Sequence, residues 1–294
     1  MEYAVFSDES RYDHGRFRSI AAVSLPAGAV VELSRRLAGE IGAAGVQELK
    51  WSSLGARGPV TRCAIAFVDH LLAEIPNGLR ADVLIWDTAD ARHRVANRDD
   101  IANYERMYFH LHRSLIRCRG GNTRWHLRPD EQEQIDWDTL ALCLTSRGTW
   151  RSDPRQPAAS HRFAALMPAI RTFRQVDSEA TPLSQMADLL AGMAAYTRRR
   201  RSAMLMQLGD PRTTGAPREM EDGEALSRRD RGRFRVITHL YRGCRSRRID
   251  VSLHAHGYLR TADPKQPINF WHYQPQHPAD KAPVAPSRQT GALP

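Results

Sequence analysis

The sequence is poor in cysteine and lysine. None of its four cysteines, Cys63, Cys118, Cys143 and Cys244, belongs to a Cys-x-x-Cys pair, which argues against a zinc ribbon. We interpret them as reduced thiols, as is typical of a cytoplasmic protein. The N-terminus has no basic segment followed by an apolar one, and no apolar run approaches the roughly 18 residues of a membrane helix. We therefore expect neither a signal peptide nor a membrane span.

Three common catalytic motifs are also missing. The sequence has no Walker A glycine loop, no Gly-x-Ser-x-Gly and no His-Glu-x-x-His. Their absence argues against a P-loop nucleotidase, an α/β-hydrolase of the usual type and a zinc protease of the zincin type. Function has to be sought in residues that lie far apart in the chain.

Positive charge is abundant. Lys and Arg number 43 against 33 Asp and Glu, which gives a net charge of +10, and nearly all the basic residues are arginine. A guanidinium donates two parallel hydrogen bonds to a phosphate, so an arginine-rich surface favours nucleic acid, DNA or RNA, as a partner. A GC-rich genome, which encodes arginine in place of lysine, explains the same composition without any function.

Strands alternate with helices over the first two hundred residues. Residues 2–8 and 17–26 have strand character and are joined by turn residues, which predicts an antiparallel hairpin. Apolar residues recur at helical spacing in later segments. This alternation predicts a mixed α/β sheet covered by helices. The predicted helices are residues 27–43, 60–75, 101–118, 135–146 and 181–201, and the further strands are 79–87, 123–128 and 169–178.

The last third of the chain has a different composition. We predict an α/β domain over residues 1–205, a basic extension over 206–274 packed on or following it, and a disordered tail over 275–294. The extension is rich in arginine, which favours contact with nucleic acid. It fits equally a helix whose solvated face docks on an acidic partner. The arginines that we predict to contact nucleic acid are Arg228, Arg229, Arg231, Arg233, Arg235, Arg245, Arg247 and Arg248.

The helix that begins near residue 182 carries an unusual carboxylate. On a helical wheel, Asp188 falls nearly opposite an apolar stripe and beside small residues such as Ala191 and Gly192. A face of small residues lets a helix approach another backbone closely, where a lone carboxylate is costly. A metal ion or a positive partner would remove that cost. The alternative is a solvent-facing aspartate on an alanine-rich helix.

Other carboxylates stand at the ends of predicted strands. Asp8 ends the first strand and shares a face with Ala4 and Phe6, whereas Glu9 points the other way. Asp130 follows directly after the strand at 123–128. Strand ends beside helices are where α/β folds build binding sites. Each of these acids taken alone is more often a turn former.

These motifs together resemble a known family. A strand with Asp-Glu-Ser at residues 8–10 is followed by Glu-x-Lys at 48–50 and by Asp-Glu-Gln at 130–132. Asp-Ser at 177–178 and Gln-x-Ala-Asp-Leu-x-Ala-Gly at 185–192 come next. Over roughly residues 2–200 the chain is similar to the prokaryotic family called domain of unknown function 3800, which is grouped with the ribonuclease H-like proteins. The resemblance implies an acidic cluster on a five-stranded mixed sheet. The implied catalytic acids are Asp8, Asp130 and Asp188, with Glu48, which lies in an extended segment, as a fourth.

The chemistry of these residues suits a nuclease. Hard carboxylate oxygens suit Mg²⁺ or Mn²⁺, and Asp8, Asp130 and Asp188 are the predicted ligands. Two such ions activate water and stabilise the leaving oxygen of a phosphodiester. The alternative is a non-catalytic subunit, binding nucleic acid or a protein partner, of a mobile-element or antiviral-defence system. The predicted supporting residues are Glu9, Lys50, Gln185 and Ser178, of which Lys50 is otherwise an ordinary surface lysine.

Overall fold

The computed structural model describes most of the predicted α/β domain and the folded part of the extension. The predicted tail, residues 275–294, lies outside the described residues, as do residues 209–226 of the predicted extension. The turn of the first hairpin and the side chain of Cys143 also lie outside the described part. The described residues are 1–10, 16–55, 58–90, 93, 99–119, 123–145, 169–208 and 227–274.

One mixed sheet forms the centre of the fold. Its first two strands pair antiparallel, which confirms the predicted hairpin, and the third strand pairs antiparallel with the second. The fourth strand pairs parallel with the first, and the fifth parallel with the fourth. These strands are β1 (Glu2–Ser10), β2 (Phe17–Pro26), β3 (Arg80–Asp87), β4 (Arg124–Pro129) and β5 (Ala169–Phe173).

Five strands therefore lie in the order β3-β2-β1-β4-β5, and β2 alone runs against the others. This is the arrangement of a ribonuclease H-like sheet, so the predicted fold class is confirmed. The implied sheet of five strands is wrong in one respect, because a sixth strand from the C-terminal extension pairs parallel with β3. The strands of the extension are β6 (Val251–Ser252), β7 (Arg260–Thr261) and β8 (Ile268–His272).

Helices cover both faces of the sheet. The spacing of apolar residues predicted the helices of the α/β domain to within a few residues. Apolar side chains at this spacing are the ones buried against the sheet. None of the helices in the described part of the chain combines the length and the apolar character that crossing a membrane requires. The helices are α1 (Val30–Ala44), α2 (Pro59–Glu74), α3 (Asp100–Arg119), α4 (Trp137–Thr145), α5 (Pro182–Arg199), α6 (Arg201–Leu208) and α7 (Arg228–Ser246).

The sheet separates two apolar clusters. Side chains of β1 alternate between them, so that Ala4 and Phe6 join the cluster under α1, α2, α5 and α7. Tyr3 and Val5 join the other, under α3 and α4. The predicted extension contributes α7 to the first cluster and β8 to the sheet edge. The boundary proposed at residue 205 stays a prediction.

Helix α5 is buried on nearly all sides. Every residue from Leu183 to Thr197 is buried except Asp188, which is partly buried. The predicted apolar stripe is therefore only part of its buried surface, because the small-residue side lies against β1 and β2. There the hydroxyl of Ser19 donates to the carbonyl of Ala191 at 2.6 Å. The close approach that the small residues predicted is present.

A buried ion pair attaches the extension to the sheet. The Arg80 guanidinium donates to both oxygens of Asp82 at 2.6 Å, and these side chains are only 7% and 0% exposed. The same guanidinium donates to the carbonyl of Pro264, and Asn269 on β8 donates to Asp82 at 2.9 Å. The pair thus holds the chain that leads into β8.

Removing one partner of this pair is expected to be costly. Asp82→Ala leaves the Arg80 charge buried and unpaired, so we expect the free energy of unfolding to fall by about 3–5 kcal/mol in urea titrations. Glu32→Ala is the control, because it breaks an exposed pair with Arg35 on α1 and should change stability little. A loss for Asp82→Ala no larger than that of the control would contradict this role.

Candidate active site

The acids at the ends of β1 and β4 meet at one edge of the sheet. Because these strands are parallel, their carboxyl ends coincide, and the N–H of Asp130 donates to the carbonyl of Ser7 at 2.8 Å. Helix α5 brings Asp188 to the same place. The result is a cleft of about 1020 Å³ whose lining includes the four acids that the sequence singled out, Asp8, Glu48, Asp130 and Asp188.

Asp8 is the most strongly perturbed of these acids. It is buried, and burial is the main reason that its pKa is raised well above the usual value, with repulsion from Asp188 and Asp130 adding to the effect. The N–H of Glu9 donates to Oδ1 at 2.7 Å. No hydrogen bond to Oδ2 occurs within the described part of the chain, so that oxygen is available to a ligand.

Asp188 lies across the cleft from Asp8. Burial raises its pKa to about 7, although the N–H of Trp51, which donates to Oδ2 at 2.7 Å, acts in the opposite direction. Repulsion from Glu48 and Asp130 adds to the rise, and Lys50 lowers it. Near neutral pH this carboxylate is therefore poised to lose its proton when a cation arrives.

Asp130 is less perturbed than the other two. Burial raises its pKa to about 6, while hydrogen bonds from the backbone of Glu131 and from Ser178 favour the ionised form. The hydroxyl of Ser178 donates its single proton to Glu48 at 3.1 Å, while the backbone N–H of Ser178 donates to Asp130. Ser178 therefore contacts two of the acids, and its supporting role stays a prediction.

Glu48 lies in the cleft with a cation beside it. Its carboxylate accepts from Lys50 at 2.7 Å, and this pairing raises the pKa of the lysine. Lys50 is exposed, and attraction to Asp188 and Asp130 also raises its pKa. The lysine thus offsets part of the negative charge of the cleft. The segment that carries both residues is irregular and extended, as predicted, and Trp51–Ser53 forms a short 3₁₀ turn after it.

Three side-chain positions on one face of α5 hold this segment. Gln185 accepts from the N–H of Leu49 at 2.9 Å and donates to the carbonyls of Ser178 and Glu179. Asp188 accepts from the N–H of Trp51, and Gly192 lies under the indole of Trp51. The spacing Gln-x-x-Asp-x-x-x-Gly is therefore a docking surface for residues 49–51. The amide of Gln185 is thus engaged by backbone groups, and its supporting role stays a prediction.

Glu9 points to the opposite face of β1, as the alternation predicted. There it accepts hydrogen bonds from the hydroxyl of Tyr108 on α3 and from Gln132 at 2.7 Å. Gln132 lies two residues after Asp130, so these bonds connect the ends of β1 and β4, and both Glu9 and Gln132 line the cleft. Tyr108 is buried in the apolar cluster under α3 and α4, and nothing in its sequence context pointed to its contact with Glu9.

The predicted nucleic-acid-binding arginines fall into two groups. Only Arg229 and Arg233 line the cleft, and Arg229 is exposed there. Arg233 is 4% exposed, so we correct the expectation of a freely accessible side chain at this position. Contact with nucleic acid stays a prediction for the others. The exposed arginines away from the cleft lining are Arg228, Arg231, Arg235, Arg245, Arg247 and Arg248.

The carboxylate oxygens of the cleft are of the type that binds a hard divalent cation. Their present positions do not form a complete coordination sphere. Asp8, Asp130 and Asp188 are carboxylates that repel one another in a partly desolvated place, and a cation would relieve that repulsion. Within the described ranges, no group of three or more His, Cys, Asp or Glu side chains converges closely enough to hold an ion. Side-chain rotations would be needed to bring the three together.

The chain resembles two archaeal proteins over nearly its whole length. An uncharacterized protein, ORF2, from Methanothermobacter thermautotrophicus is 33% identical over 298 residues, which covers 95% of this chain and 96% of the relative. A second protein of that organism, ORF2′, is 32% identical with the same coverage. No protein-family model matches the chain.

Structural similarity is more distant. Ribonuclease HII of Archaeoglobus fulgidus, in its PCNA complex, aligns over 95% of this chain and 99% of its own with 14% identity and a TM-score of 0.33. Ribonuclease H2 of Pyrococcus horikoshii aligns over 81% and 99%, with 10% identity and a TM-score of 0.34. TM-scores this low do not establish the fold class, which rests on the order and direction of the strands.

Strand order and the acidic cleft define a ribonuclease H-like α/β protein with clustered carboxylates. Within that class, the identity along the full length shows that the chain belongs to the family of the ORF2 proteins. The family likeness includes the C-terminal extension, because 95% of the chain is aligned.

The packing of Trp51 on α5 is expected to tolerate no added methyl group. A Cβ at Gly192 would lie 2.1 Å from Cγ of Trp51, so Gly192→Ala should displace the ring and cost about 1–3 kcal/mol in urea unfolding. Gly39→Ala is the matched control, because nothing lies within 4 Å of its Cβ in helix α1. The control should be neutral or stabilising by up to about 1 kcal/mol. Equal effects would contradict the packing.

The raised pKa of Asp188 predicts how stability depends on pH without metal. The folded chain binds this proton more tightly than the unfolded chain, so its contribution is present below about pH 4 and is lost as pH rises toward about 7. Asp188→Asn removes the charge, and we expect it to stabilise the metal-free protein by about 1–4 kcal/mol near pH 8 and little near pH 4. Urea unfolding at both pH values measures this, and equal differences would contradict it.

Proposed function

We propose that the protein is a divalent-metal-dependent nuclease that hydrolyses phosphodiester bonds of nucleic acid. The observation that carries this proposal is the meeting of Asp8, Asp130 and Asp188 in one cleft of a strongly basic chain. Mutually repelling carboxylates are expensive to bury, and binding cations is a function that accounts for keeping them.

Asp8, Asp130 and Asp188 would hold Mg²⁺ or Mn²⁺, which supplies charge stabilisation and a more acidic water. The N–H groups of Glu9 and Trp51 orient Asp8 and Asp188 by occupying one oxygen of each. Ser178 holds Asp130 and Glu48 in place relative to each other. Lys50 offers a cation beside the acids that can contact a substrate phosphate. Glu48 is the fourth acid of this site.

The positive charge of the chain supports a polyanionic substrate. Arg229 is exposed on the lining of the cleft and makes no ion pair within the described residues, so it is available to a phosphate. The other exposed arginines of α7 and of residues 245–248 extend this positive surface. Such a surface would attract either DNA or RNA through the backbone.

One observation favours a second candidate function. Because no group of three potential ligands converges in the described part of the chain, a non-catalytic subunit that keeps the fold also fits. Such a subunit would bind nucleic acid or a protein partner in a mobile-element or antiviral-defence system. The resemblance to domain of unknown function 3800 and a cytoplasmic location stay predictions beside it.

Cleavage assays test the leading proposal. Wild type, Asp8→Ala and Asp188→Asn are incubated with DNA, RNA and hybrid duplexes in Mg²⁺, Mn²⁺ or chelator. We expect cleavage by the wild type to need metal and to fall about a hundredfold or more in both variants, because each loses a ligand charge. Asp177→Asn is the matched control, since this carboxylate is exposed and outside the cleft lining. It should cleave as the wild type does.

Two results would contradict the proposal. Cleavage that the variants retain, or that chelator does not affect, would remove the carboxylates from catalysis. Absence of cleavage by the wild type, together with salt-dependent binding that survives loss of the acids, would favour the binding subunit.

A further inference from the structure

Arg233 differs from the other arginines of α7 in being buried between aromatic rings. Its guanidinium carbon lies 5.2 Å from the ring centre of Trp51 and 5.2 Å from that of Tyr196. Its Nη2 also donates to the carbonyl of Trp51 at 3.4 Å. A cation held on two aromatic faces away from water is strongly attracted to both. Arg233 therefore contacts both the ring and the backbone of Trp51.

Trp51 in turn contacts the acidic cleft. Its N–H donates to Oδ2 of Asp188 at 2.7 Å, and its ring lies over Gly192, one helical turn further along α5. Trp51 is 2% exposed, so its position is set by these neighbours. The position in which Arg233 holds Trp51 therefore sets the direction from which the Trp51 N–H donates to Asp188.

Helix α7 is attached to α5 without the help of Arg233. The hydroxyl of Tyr196 on α5 donates to Asp230 at 2.5 Å, and Ser227 caps the first turn by accepting from the N–H of Asp230 at 3.0 Å. The ring of Tyr196 also packs on Phe234. The N-terminal half of α7 is thus fixed beside the site, and Arg233 reaches Trp51 from it.

We propose that Arg233 is a positioning residue for Asp188 and acts through Trp51, so that the basic C-terminal helix completes the acidic site. This rests on the proposed function, which makes Asp188 a metal ligand. A site confined to residues 1–205 would need nothing from α7, yet family likeness continues through the extension. On this account Arg233 supports the carboxylate and does not itself bind a substrate phosphate.

The test uses the full chain labelled with 5-fluorotryptophan. The chain has six tryptophans, and the ¹⁹F resonance of Trp51 is assigned by its loss in Trp51→Phe. Wild type, Arg233→Met and Arg233→Lys are compared with Arg235→Met, a matched control because Arg235 is exposed on the same helix. Each protein is also titrated with Mn²⁺ by calorimetry, and circular dichroism checks folding.

We expect Arg233→Met to shift or broaden the Trp51 resonance and to weaken Mn²⁺ binding about tenfold, with Arg233→Lys between it and the wild type. Arg235→Met should leave both unchanged. In cleavage assays Arg233→Met should lower kcat with little effect on KM. If Arg233→Met does not fold, the lysine variant decides by the same two measurements.

An unchanged Trp51 resonance in a folded Arg233 variant would overturn the inference. An equal change of the Trp51 resonance in Arg235→Met would also overturn the inference, because loss of a positive charge alone would then account for the change. A wild type that binds no Mn²⁺ would contradict the proposed metal-dependent function instead. In that case the ¹⁹F comparison still decides whether Arg233 positions Trp51.

Discussion

Mutual repulsion among buried carboxylates is the constraint on which the rest of this structure depends. Asp8, Asp130 and Asp188 share one cleft, where burial raises the pKa of each and repulsion from neighbouring carboxylates adds to the rise. Without a cation, this arrangement works against the stability of the fold. The surrounding structure offsets this unfavourable free energy by holding the carboxylates in place. It does so with paired parallel strands, a helix buried on nearly all sides, and backbone N–H groups that donate to Asp8 and Asp188.

These supports come from every part of the chain. The sheet supplies Asp8 and Asp130, helix α5 supplies Asp188, and the irregular segment before Trp51 supplies Glu48 and Lys50. The C-terminal extension adds Arg233 on one side of Trp51, and it adds β8 to the far edge of the sheet. The basic region is therefore structurally continuous with the acidic cleft, and the ORF2 relatives align over nearly the full length of the chain.

Local patterns were sufficient to predict the hairpin, the helices and a mixed α/β sheet, whereas the ribonuclease H-like class came from the family resemblance. Hydrophobic periodicity reports which side of an element is buried, and the small residues around Asp188 report close packing. The pairing of Asp8 with Asp188 came instead from the resemblance to a known family, because each acid taken alone is more often a turn former or a surface residue. The placement of Trp51 was not predictable, because it depends on Gly192 and Arg233, which lie more than a hundred residues away. For the same reason, the arginine run was predicted as a single surface although Arg233 is buried.

The central claim is that Asp8 and Asp188 share a metal site, and its most direct test is a crystal structure of crystals soaked in Mn²⁺, with anomalous scattering used to locate the ion. The account predicts Mn²⁺ bound by Asp8 and Asp188, with Asp130 rotated toward it, and Trp51 still donating to Asp188. Carboxylates of Asp8 and Asp188 more than about 10 Å apart, or a saturated crystal without Mn²⁺ in the cleft, would contradict it.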